Sequence, residues 1–577
     1  MKRPVNEFVS DHRGNVVMLF GLSVIPVMMM AGAAVDYARG VTTHKVLQQG
    51  ADTAALAVAS RITAATSTAD AIKQAQNVLR SASQRLAAAT ISNATISADR
   101  KTFCIDAQVS IPTMIMKIAR IDSMAPAVMS CAEIGGGSTN YEIALALDNS
   151  GSMNESAGGA TKIQSLKTAA TNFVNSMFAK SPGKVKIAIT PFAGLVIPVD
   201  PTVAANRALP WIDVNGLSSQ HWITFGGKAN ANAAGFTSRF NVFSNLKSQR
   251  ADWDFGGCYE PQPYPMNVTE TAPTAGNAET LFVPYLAPDE PDSSAYENNY
   301  LNDDGGGCSL WTFGGWTDLT RTCKYKPATG WTSGIWSWFG ATAGNGWTGG
   351  VFASRGGAFN GPNGMCPNAA TQTALQLTPT QSTITAKIAQ LTAAGDTNLH
   401  EGVMWAWRSI SPNPPFSAGS AYNTAGVRKI LVLMTDGYNN WTSNTNTVGG
   451  SYYEALGYYS YNGAKNRRLP DGTQGNGVDY QSQLDGAANS WTDYKSVSRQ
   501  AQDELTRQSC ENAKAKGIEI YSIAFSVSTN PIDAAGINLL KSCATNADHY
   551  LLATDSTQID RAFSQIAMNL SKLRLSR

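Results

Sequence analysis

The sequence predicts an α/β protein whose main part is a doubly wound, mainly parallel β-sheet with large insertions. A transmembrane helix and a small α+β module are expected in front of it. An uncharged run of 20 residues lies near the N-terminus, and an Ala-rich segment and two strand-like segments follow it. After residue 139, apolar strand-like runs alternate with helix-like segments. Such alternation is typical of a parallel sheet that helices cover on both faces.

The uncharged run extends from Val16 to Val35. At about 1.5 Å per residue, it is long enough to cross a hydrocarbon core of about 30 Å. A cleaved signal peptide is the alternative, but its apolar part would be shorter, about 7–15 residues. Basic residues before the run favour a cytoplasmic N-terminus. We therefore expect residues 1–40 to form a cytoplasmic tip and a single-pass inner-membrane anchor (span 16–35). The bulk of the chain would be periplasmic or extracellular.

Residues 41–134 are expected to form a helix and a small β module. The stretch 41–90 is rich in Ala, Gln and Leu and contains no Pro, which favours a helix that continues from the membrane. The segments 95–111 and 125–134 carry alternating β-branched residues and are expected to be strands. A helix followed by a small sheet has the shape of a pilin-like module, and a plain stalk is an equally good interpretation. The Gly-rich stretch 135–138 is typical of a linker.

Residues 139–573 carry the strand and helix alternation of the main domain. His549, at the start of the last strand, is expected to be exposed. The expected strands are 141–148, 184–192, 429–437, 517–525 and 549–553. The expected helices are 162–178, 383–393, 400–410, 497–516, 534–545 and 556–573.

Two insertions, at about 200–380 and 438–495, interrupt this alternation. The first contains nine of the 13 tryptophans and four of the eight cysteines. Neither insertion shows helical periodicity, and long irregular insertions are usually functional loops or disordered segments. The many aromatic residues argue against full disorder. For the first insertion, we favour a disulfide-braced lobe over an adhesive surface.

All eight cysteines follow the uncharged run, and an even number in an exported region predicts disulfides. Cys104 and Cys131 fall in the two predicted strands of the small module and are expected to pair. Cys510 and Cys543 lie in helices that precede two parallel strands. Such crossover helices often cover the same face of a sheet, so these cysteines are also expected to pair. Two further bridges are expected within the first insertion.

Composition and motifs exclude several classes of function. The formal net charge is +2, and Lys and Arg are not clustered, so nucleic acid is not an expected partner. His400 and Glu401 begin a zinc-protease motif, but Met404 stands where the second histidine would be. The pair is therefore expected in the first turn of a helix. The sequence contains no phosphate-binding loop and no G-x-S-x-G motif, so an enzyme is not expected.

Five oxygen-bearing side chains are expected at one edge of the predicted sheet. Asp148, Ser150 and Ser152 follow the first strand as D-x-S-x-S. Thr397 precedes a helix, and Asp436 follows a buried strand. In a parallel sheet, these loops meet at the carboxyl edge, where open α/β sheets bind ligands. Hard oxygen ligands with little charge suit Mg²⁺ or Mn²⁺. The alternative is a cluster that stabilises the loops without a metal.

The same pattern resembles a known metal site. D-x-S-x-S, then G-D-T-N, then T-D-G after a buried strand, is similar to the metal-ion-dependent adhesion site of von Willebrand factor type A (vWA) domains. The resemblance implies a Rossmann-like, doubly wound fold over residues 139–573. It also implies that a partner's carboxylate or a water completes the metal shell. The ligands that it implies are Asp148, Ser150, Ser152, Thr397 and Asp436.

The N-terminal sequence HRGNVVMLFGLSVIPVMMMAGAAVDYARG, followed by LQQGADTAALAVA, resembles the start of TadG-type tight-adherence (Flp) pilus-assembly proteins. CENAKAKGIEIYSIAF and LLKSCATNADHYLLA near the C-terminus are similar to them as well. Related pseudopilins are processed after a glycine with Glu five residues on. Here Leu19 stands five residues after Gly14, which favours an anchor that is retained. The resemblance implies an envelope protein that binds a protein partner in the pilus-assembly machinery. A metal-dependent surface adhesin is the alternative.

Overall fold

The computed structural model describes residues 14–62, 65–98, 102–134, 139–290, 297–301, 322, 324–325, 361–442, 444, 446–447, 451–458, 460–461, 464–465, 491–571 and 575–576. The chain divides into two compact units. The first comprises residues 1–139 and 572–577, and the second comprises residues 140–571. The predicted cytoplasmic tip before residue 14 and the predicted linker 135–138 lie outside the described residues.

The longest helix of the first unit is α1 (Gly14–Ala59). Its part from Leu22 onwards is long and apolar enough to cross a membrane. In its first half, large apolar side chains such as Phe20, Met28 and Val35 are exposed. In its second half, the buried face consists mainly of small residues, and Leu47 is its largest fully buried side chain. The two halves of α1 therefore face different surroundings.

An antiparallel sheet packs against the second half of α1. Its order is β1-β2-β5, and a short strand at Leu575–Ser576 pairs with β5. Phe103 and Ile105 share one apolar core with α1. This packing makes the first unit an α+β structure rather than a plain stalk, and β1 is a strand that the sequence did not predict. The further elements of the unit are α2 (Thr68–Ser81), β1 (Thr90–Ile96), β2 (Thr102–Gln108), β3 (Ile111–Pro112), β4 (Ser123–Met124) and β5 (Ala127–Glu133).

A six-stranded sheet organises the second unit. The order is β8-β7-β6-β9-β10-β11, and every neighbouring pair is parallel except β8 and β7. All five predicted strands are present, and the antiparallel edge strand β8 was not predicted. The strands are β6 (Asn140–Asp148), β7 (Val185–Phe192), β8 (Leu375–Thr378), β9 (Val427–Thr435), β10 (Glu519–Phe525) and β11 (Tyr550–Ala553).

Helices cover both faces of this sheet. Along β6, Ala144 and Ala146 point into one apolar core, whereas Ile143 and Leu145 point into the other. Helices α8, α9 and α10 contribute to the first core, and α3, α7 and α11 to the second. The mixed α/β architecture with a parallel sheet is thus confirmed. The helices are α3 (Lys162–Lys180), α4 (Lys228–Ala233), α5 (Arg239–Gln249), α6 (Ala369–Gln372), α7 (Gln381–Gln390), α8 (Leu399–Ile410), α9 (Trp491–Ala515), α10 (Ala534–Cys543) and α11 (Ser556–Ser571).

The first insertion contains regular structure that the sequence did not predict. Ser238 begins α5 with a capping box, a local signal that periodicity does not detect. Trp222 is buried, and Arg239 pairs with Glu260 at 2.6 Å, with both side chains buried. The described part of the insertion is therefore a packed lobe. Short strand pairs join Tyr259–Glu260 to Val283–Pro284 in this lobe, and Ser460–Tyr461 to Ala464–Lys465 in the second insertion.

Within each unit, disulfides join cysteines that are far apart in the sequence. The predicted pairs Cys104–Cys131 and Cys510–Cys543 are confirmed. Cys258–Cys366 is one bridge of the first insertion. A second bridge was also expected in this insertion, and its other two cysteines, Cys308 and Cys323, lie outside the described residues.

His549 is buried, so the expectation that it is exposed was wrong. Its ring lies 4.1 Å from the ring of Tyr521, and its Nδ1 lies 2.6 Å from Asn546 Oδ1. A short 3-10 turn at Ala547–His549 brings the side chain back over the neighbouring strand just before β11 begins. Such a turn between helix and strand is not visible in hydrophobic periodicity.

Candidate functional site

The predicted site lies where β6 and β9 end side by side. Leu147 pairs with Met434 across the two strands, so the next residues, Asp148 and Thr435, are also neighbours. Thr435 Oγ1 donates to Asp148 Oδ2 at 2.5 Å. The chain leaves β6 towards β7 on one side and returns through β9 on the other. The strand order therefore reverses at this edge, which is where open α/β sheets form a ligand crevice.

The loop after β6 brings its two serines to the second carboxylate. The backbone N–H of Ser150 donates to Asp148 Oδ1 at 2.8 Å. The hydroxyl oxygens of Ser150 and Ser152 lie 3.1 Å apart, and Ser152 Oγ donates to Asp436 Oδ1 at 2.8 Å. A continuous hydrogen-bonded chain thus runs from Asp148 through both hydroxyls to Asp436.

Thr397 reaches the same edge through backbone contacts. The N–H of Gly151 donates to the carbonyl of Gly395 at 2.8 Å, which joins the serine loop to the threonine loop. The N–H of Asn440 donates to the carbonyl of Thr397 at 2.9 Å. Thr397 Oγ1 lies 3.8 Å from the position that a Cβ would take on Gly437. All five predicted residues are therefore at one edge of the sheet.

Lys162 is a central residue of the site that the sequence analysis missed. It is the first residue of α3, and its side chain is completely buried. Its ammonium group donates to Asp436 Oδ2 at 2.7 Å and to Glu155 Oε2 at 2.8 Å. A cation in the first turn of a helix opposes the helix dipole. Because a lysine is unfavourable at this position, the sequence could have suggested that Lys162 has an acidic partner.

Two buried carboxylates and one buried ammonium group determine the electrostatics of the site. Burial, and then the nearby Asp436 carboxylate, raise the pKa of Asp148. Burial also raises the pKa of Asp436, although the charge of Lys162 acts in the opposite direction. The two carboxylates and three hydroxyls offer oxygen atoms alone, which fits Mg²⁺ or Mn²⁺. Within the described ranges, no group of three or more Asp, Glu, His or Cys side chains could hold a metal, so the hydroxyls would be needed as ligands.

The five residues of the site differ in exposure. Asp148, Ser150, Thr397 and Asp436 are buried, whereas Ser152 is partly exposed. Ser152 is therefore the member of the predicted set that solvent reaches most readily.

A second acidic pair lies beside the site, with Asp396 next to Thr397 and Glu454 from the second insertion. Glu454 is buried, and its Oε2 lies 3.3 Å from the position of a Cβ on Gly194. Burial, and then the neighbouring Asp396 carboxylate, raise the pKa of Glu454 well above its ordinary value. Asp396 accepts hydrogen bonds from the backbone and side chain of Thr442. No motif predicted that Glu454 would join Asp396, because Glu454 belongs to an insertion without a recognisable pattern.

His400 and Glu401 have the structural role that the sequence predicted. They lie in the first turn of α8, which Asn398 caps, and both are buried. His400 Nε2 lies 2.8 Å from the carbonyl of Asn267, and Glu401 accepts from Trp405 Nε1 at 2.9 Å. Both side chains therefore take part in buried hydrogen bonds that hold α8 in place.

His400 should make the stability of the protein depend on pH. Burial lowers its pKa to about 4, from an ordinary value of about 6.5. As the pH falls below about 6.5, the unfolded state gains a proton that folded His400 does not, so stability is lost down to about pH 4. Between pH 7.5 and 5, wild type should lose roughly 2 kcal/mol more unfolding free energy than His400→Gln. Urea unfolding at both values measures this.

The matched control is His44→Gln, because His44 is exposed. It should follow the wild-type pH profile. Equal losses in wild type and His400→Gln would contradict the assignment of a neutral, buried imidazole.

A family model matches the N-terminal region. The model describes the Tad family, whose members are TadE/G-like proteins of Flp pilus assembly. It matches residues 14–61, which are α1 and the two residues that follow it. No curated relative matches the chain.

Solved structures with similarity to the chain include pilus proteins. The PilB minor pilin from Streptococcus sanguinis has a TM-score of 0.32 at 11% identity and covers 83% of this chain and 77% of its own. The vWF domain of the type V pili tip protein Mfa5 from Porphyromonas gingivalis has a TM-score of 0.29 at 12% identity. The match covers 75% of this chain and 95% of the Mfa5 chain. The pilus adhesin RrgA from Streptococcus pneumoniae has a TM-score of 0.31 at 10% identity. The match covers 83% of this chain and 48% of the RrgA chain. Residues 14–61 of this chain are therefore similar to Flp pilus-assembly sequences of the TadE/G-like type.

Proposed function

We propose that this is a membrane-anchored envelope protein of Flp pilus assembly that binds a protein partner through a metal-dependent vWA domain. The match of residues 14–61 to pilus-assembly sequences carries this proposal. Helix α1 would be a single-pass anchor in the inner membrane with its N-terminus in the cytoplasm. The second unit would be a doubly wound, Rossmann-like vWA domain, consistent with its reversed strand order and its helices on both faces.

Disulfides support the proposed location. The three bridges among the described residues lie after the apolar part of α1. Disulfides persist in oxidising compartments such as the periplasm and are rare in the cytosol. This agrees with export of the region that follows the anchor.

The proposed binding site consists of Asp148, Ser150, Ser152, Thr397 and Asp436 around Mg²⁺ or Mn²⁺. When bound, the cation would supply a coordination position for an acidic group of the partner. The residues of the chain would hold the cation and, through Ser152, leave one side of it accessible. Binding of this kind requires no reaction on a substrate, so we propose no enzymatic activity.

Deleting the gene should leave pilin made and processed but abolish or shorten surface pili. Full-length protein with Asp148→Ala should restore pili poorly, because Asp148 is the buried acid at the centre of the site. Asp252→Ala is the control, since Asp252 is largely exposed and distant in sequence. Electron microscopy of surface pili and immunoblots of processed pilin provide the measurement.

Two outcomes would contradict this proposal. Normal pili in the deletion strain, with loss of binding to a single external ligand, would replace the assembly role by the adhesin role. Full restoration by Asp148→Ala would refute the dependence on the metal site.

A further inference from the structure

The tip of one hairpin in the first unit is apolar and exposed. Residues 113–122, here called the hairpin tip, connect β3 to β4 through a 3-10 turn at Met116–Ala119. Met114 exposes 70% of its surface, Ile118 73% and Ile121 42%. Turns in contact with water are usually built from polar residues and glycine. Three large apolar side chains exposed together therefore indicate a contact with apolar material.

The hairpin tip is attached to α1. Asp36 of α1 is fully buried. Its carboxylate accepts hydrogen bonds of 2.9 to 3.0 Å from three successive backbone N–H groups, those of Met114, Ile115 and Met116. A Cβ on Gly32 would collide with the side chain of Ile115, so glycine is what allows this close approach.

The attachment points define the level of the hairpin tip along α1. Gly32, Asp36 and Gly40 are spaced by four residues and lie on one face of the helix. A Cβ on Gly40 would lie 3.2 Å from Met124, at the base of the hairpin. The tip therefore points towards Gly32, which lies inside the uncharged run 16–35. This is the level at which α1 would leave the bilayer.

We propose that the hairpin tip enters the lipid leaflet around α1. Met114, Ile118 and Ile121 would lie among the outer parts of the acyl chains. Lys117 and Arg120, both exposed, would bind the phosphates of anionic phospholipids. Basic residues next to apolar ones are typical of segments that lie in the membrane interface. The inference rests on the membrane anchoring proposed above.

The surroundings favour lipid over a protein partner. On α1 near the same level, Met30 and Val35 are also exposed, so both the tip and the adjoining part of α1 present apolar side chains to their surroundings. Tyr37 is exposed just beyond the uncharged run, where interfacial aromatic residues collect.

Lipid-attached quenchers can test this in the full-length protein. Single cysteines are introduced by Ile118→Cys, Met28→Cys and Ser60→Cys, labelled with an environment-sensitive fluorophore, and corrected for labelling of the unsubstituted protein. The proteins are reconstituted into phosphatidylethanolamine–phosphatidylglycerol vesicles with or without doxyl-labelled lipid. Met28 is exposed within the uncharged run. Ser60 follows α1 and lies about 36 Å from Asp36 along a straight helix axis.

We expect strong quenching at Met28 and Ile118 and little at Ser60. Quenching at Met28 without quenching at Ile118 would overturn the inference and leave the anchor intact. Absence of quenching at Met28 would overturn both. Replacing phosphatidylglycerol by phosphatidylcholine should weaken quenching at Ile118. Unchanged quenching there would refute the role of Lys117 and Arg120.

Discussion

We expect full-length protein with Asp148→Ala to lose nearly all Mg²⁺ binding. Asp148 is buried, accepts hydrogen bonds from Ser150 and Thr435, and faces Asp436 across the site. Removing a residue that orients a metal ligand weakens metal affinity by about 10–100-fold, and removing a charged ligand should reach or exceed the upper end of that range. Calorimetric titration of the detergent-solubilised protein with MgCl₂ measures the affinity.

Two further variants sharpen this experiment. Ser152→Ala should weaken Mg²⁺ binding less than Asp148→Ala, because it removes a neutral hydroxyl and leaves both carboxylates. Asp252→Ala removes an exposed carboxylate elsewhere and should bind Mg²⁺ as wild type does. Identical titration curves for wild type and Asp148→Ala would show that the ligand assignment is wrong.

The Lys162→Met variant should be much less stable than wild type in the absence of divalent cations. Lys162 is the cation that contacts buried Asp436, and its removal leaves that carboxylate next to Asp148 without compensation. Breaking a buried ion pair from one side typically costs about 3–5 kcal/mol. Guanidinium unfolding in EDTA should show a loss of this order.

Addition of Mg²⁺ provides a second measurement on the same variant. A divalent cation in the site would neutralise the carboxylates that Lys162 no longer balances, so Mg²⁺ should stabilise Lys162→Met more than wild type. The control is Lys180→Met, because Lys180 lies at the exposed end of the same helix. If Lys162→Met is as stable as wild type in EDTA, the buried ion pair does not contribute to folding.

Local patterns in the sequence were sufficient for much of the fold. Buried parallel strands are short apolar runs, so the five predicted strands of the sheet are recognisable one at a time. The edge strand β8 is only partly buried and pairs antiparallel with β7, so it lacks that apolar signal. Helix α5 was missed for a related reason, because its start depends on a capping box at Ser238 rather than on periodicity.

The candidate site likewise contains residues that local patterns predict and partners that they do not. The positions of Asp148, Ser150, Ser152, Thr397 and Asp436 follow from strand ends and short motifs, and the topology of a parallel sheet brings strand ends together. The partners of these residues are not local. Lys162 contacts a residue 274 positions away, and Glu454 comes from an insertion without a motif. Such pairs depend on how whole elements pack.

By itself, the sequence was sufficient to predict the long apolar helix near the N-terminus, the alternation of strands and helices, and the oxygen-bearing side chains at the carboxyl edge of the sheet. These properties depend on the length, periodicity and identity of neighbouring residues. Only the tertiary structure decided that Lys162 neutralises Asp436, that His549 is buried, and that the hairpin tip lies against α1. The physical reason is that burial and charge pairing are set by residues far apart in the chain, which strand register and helix packing bring into contact.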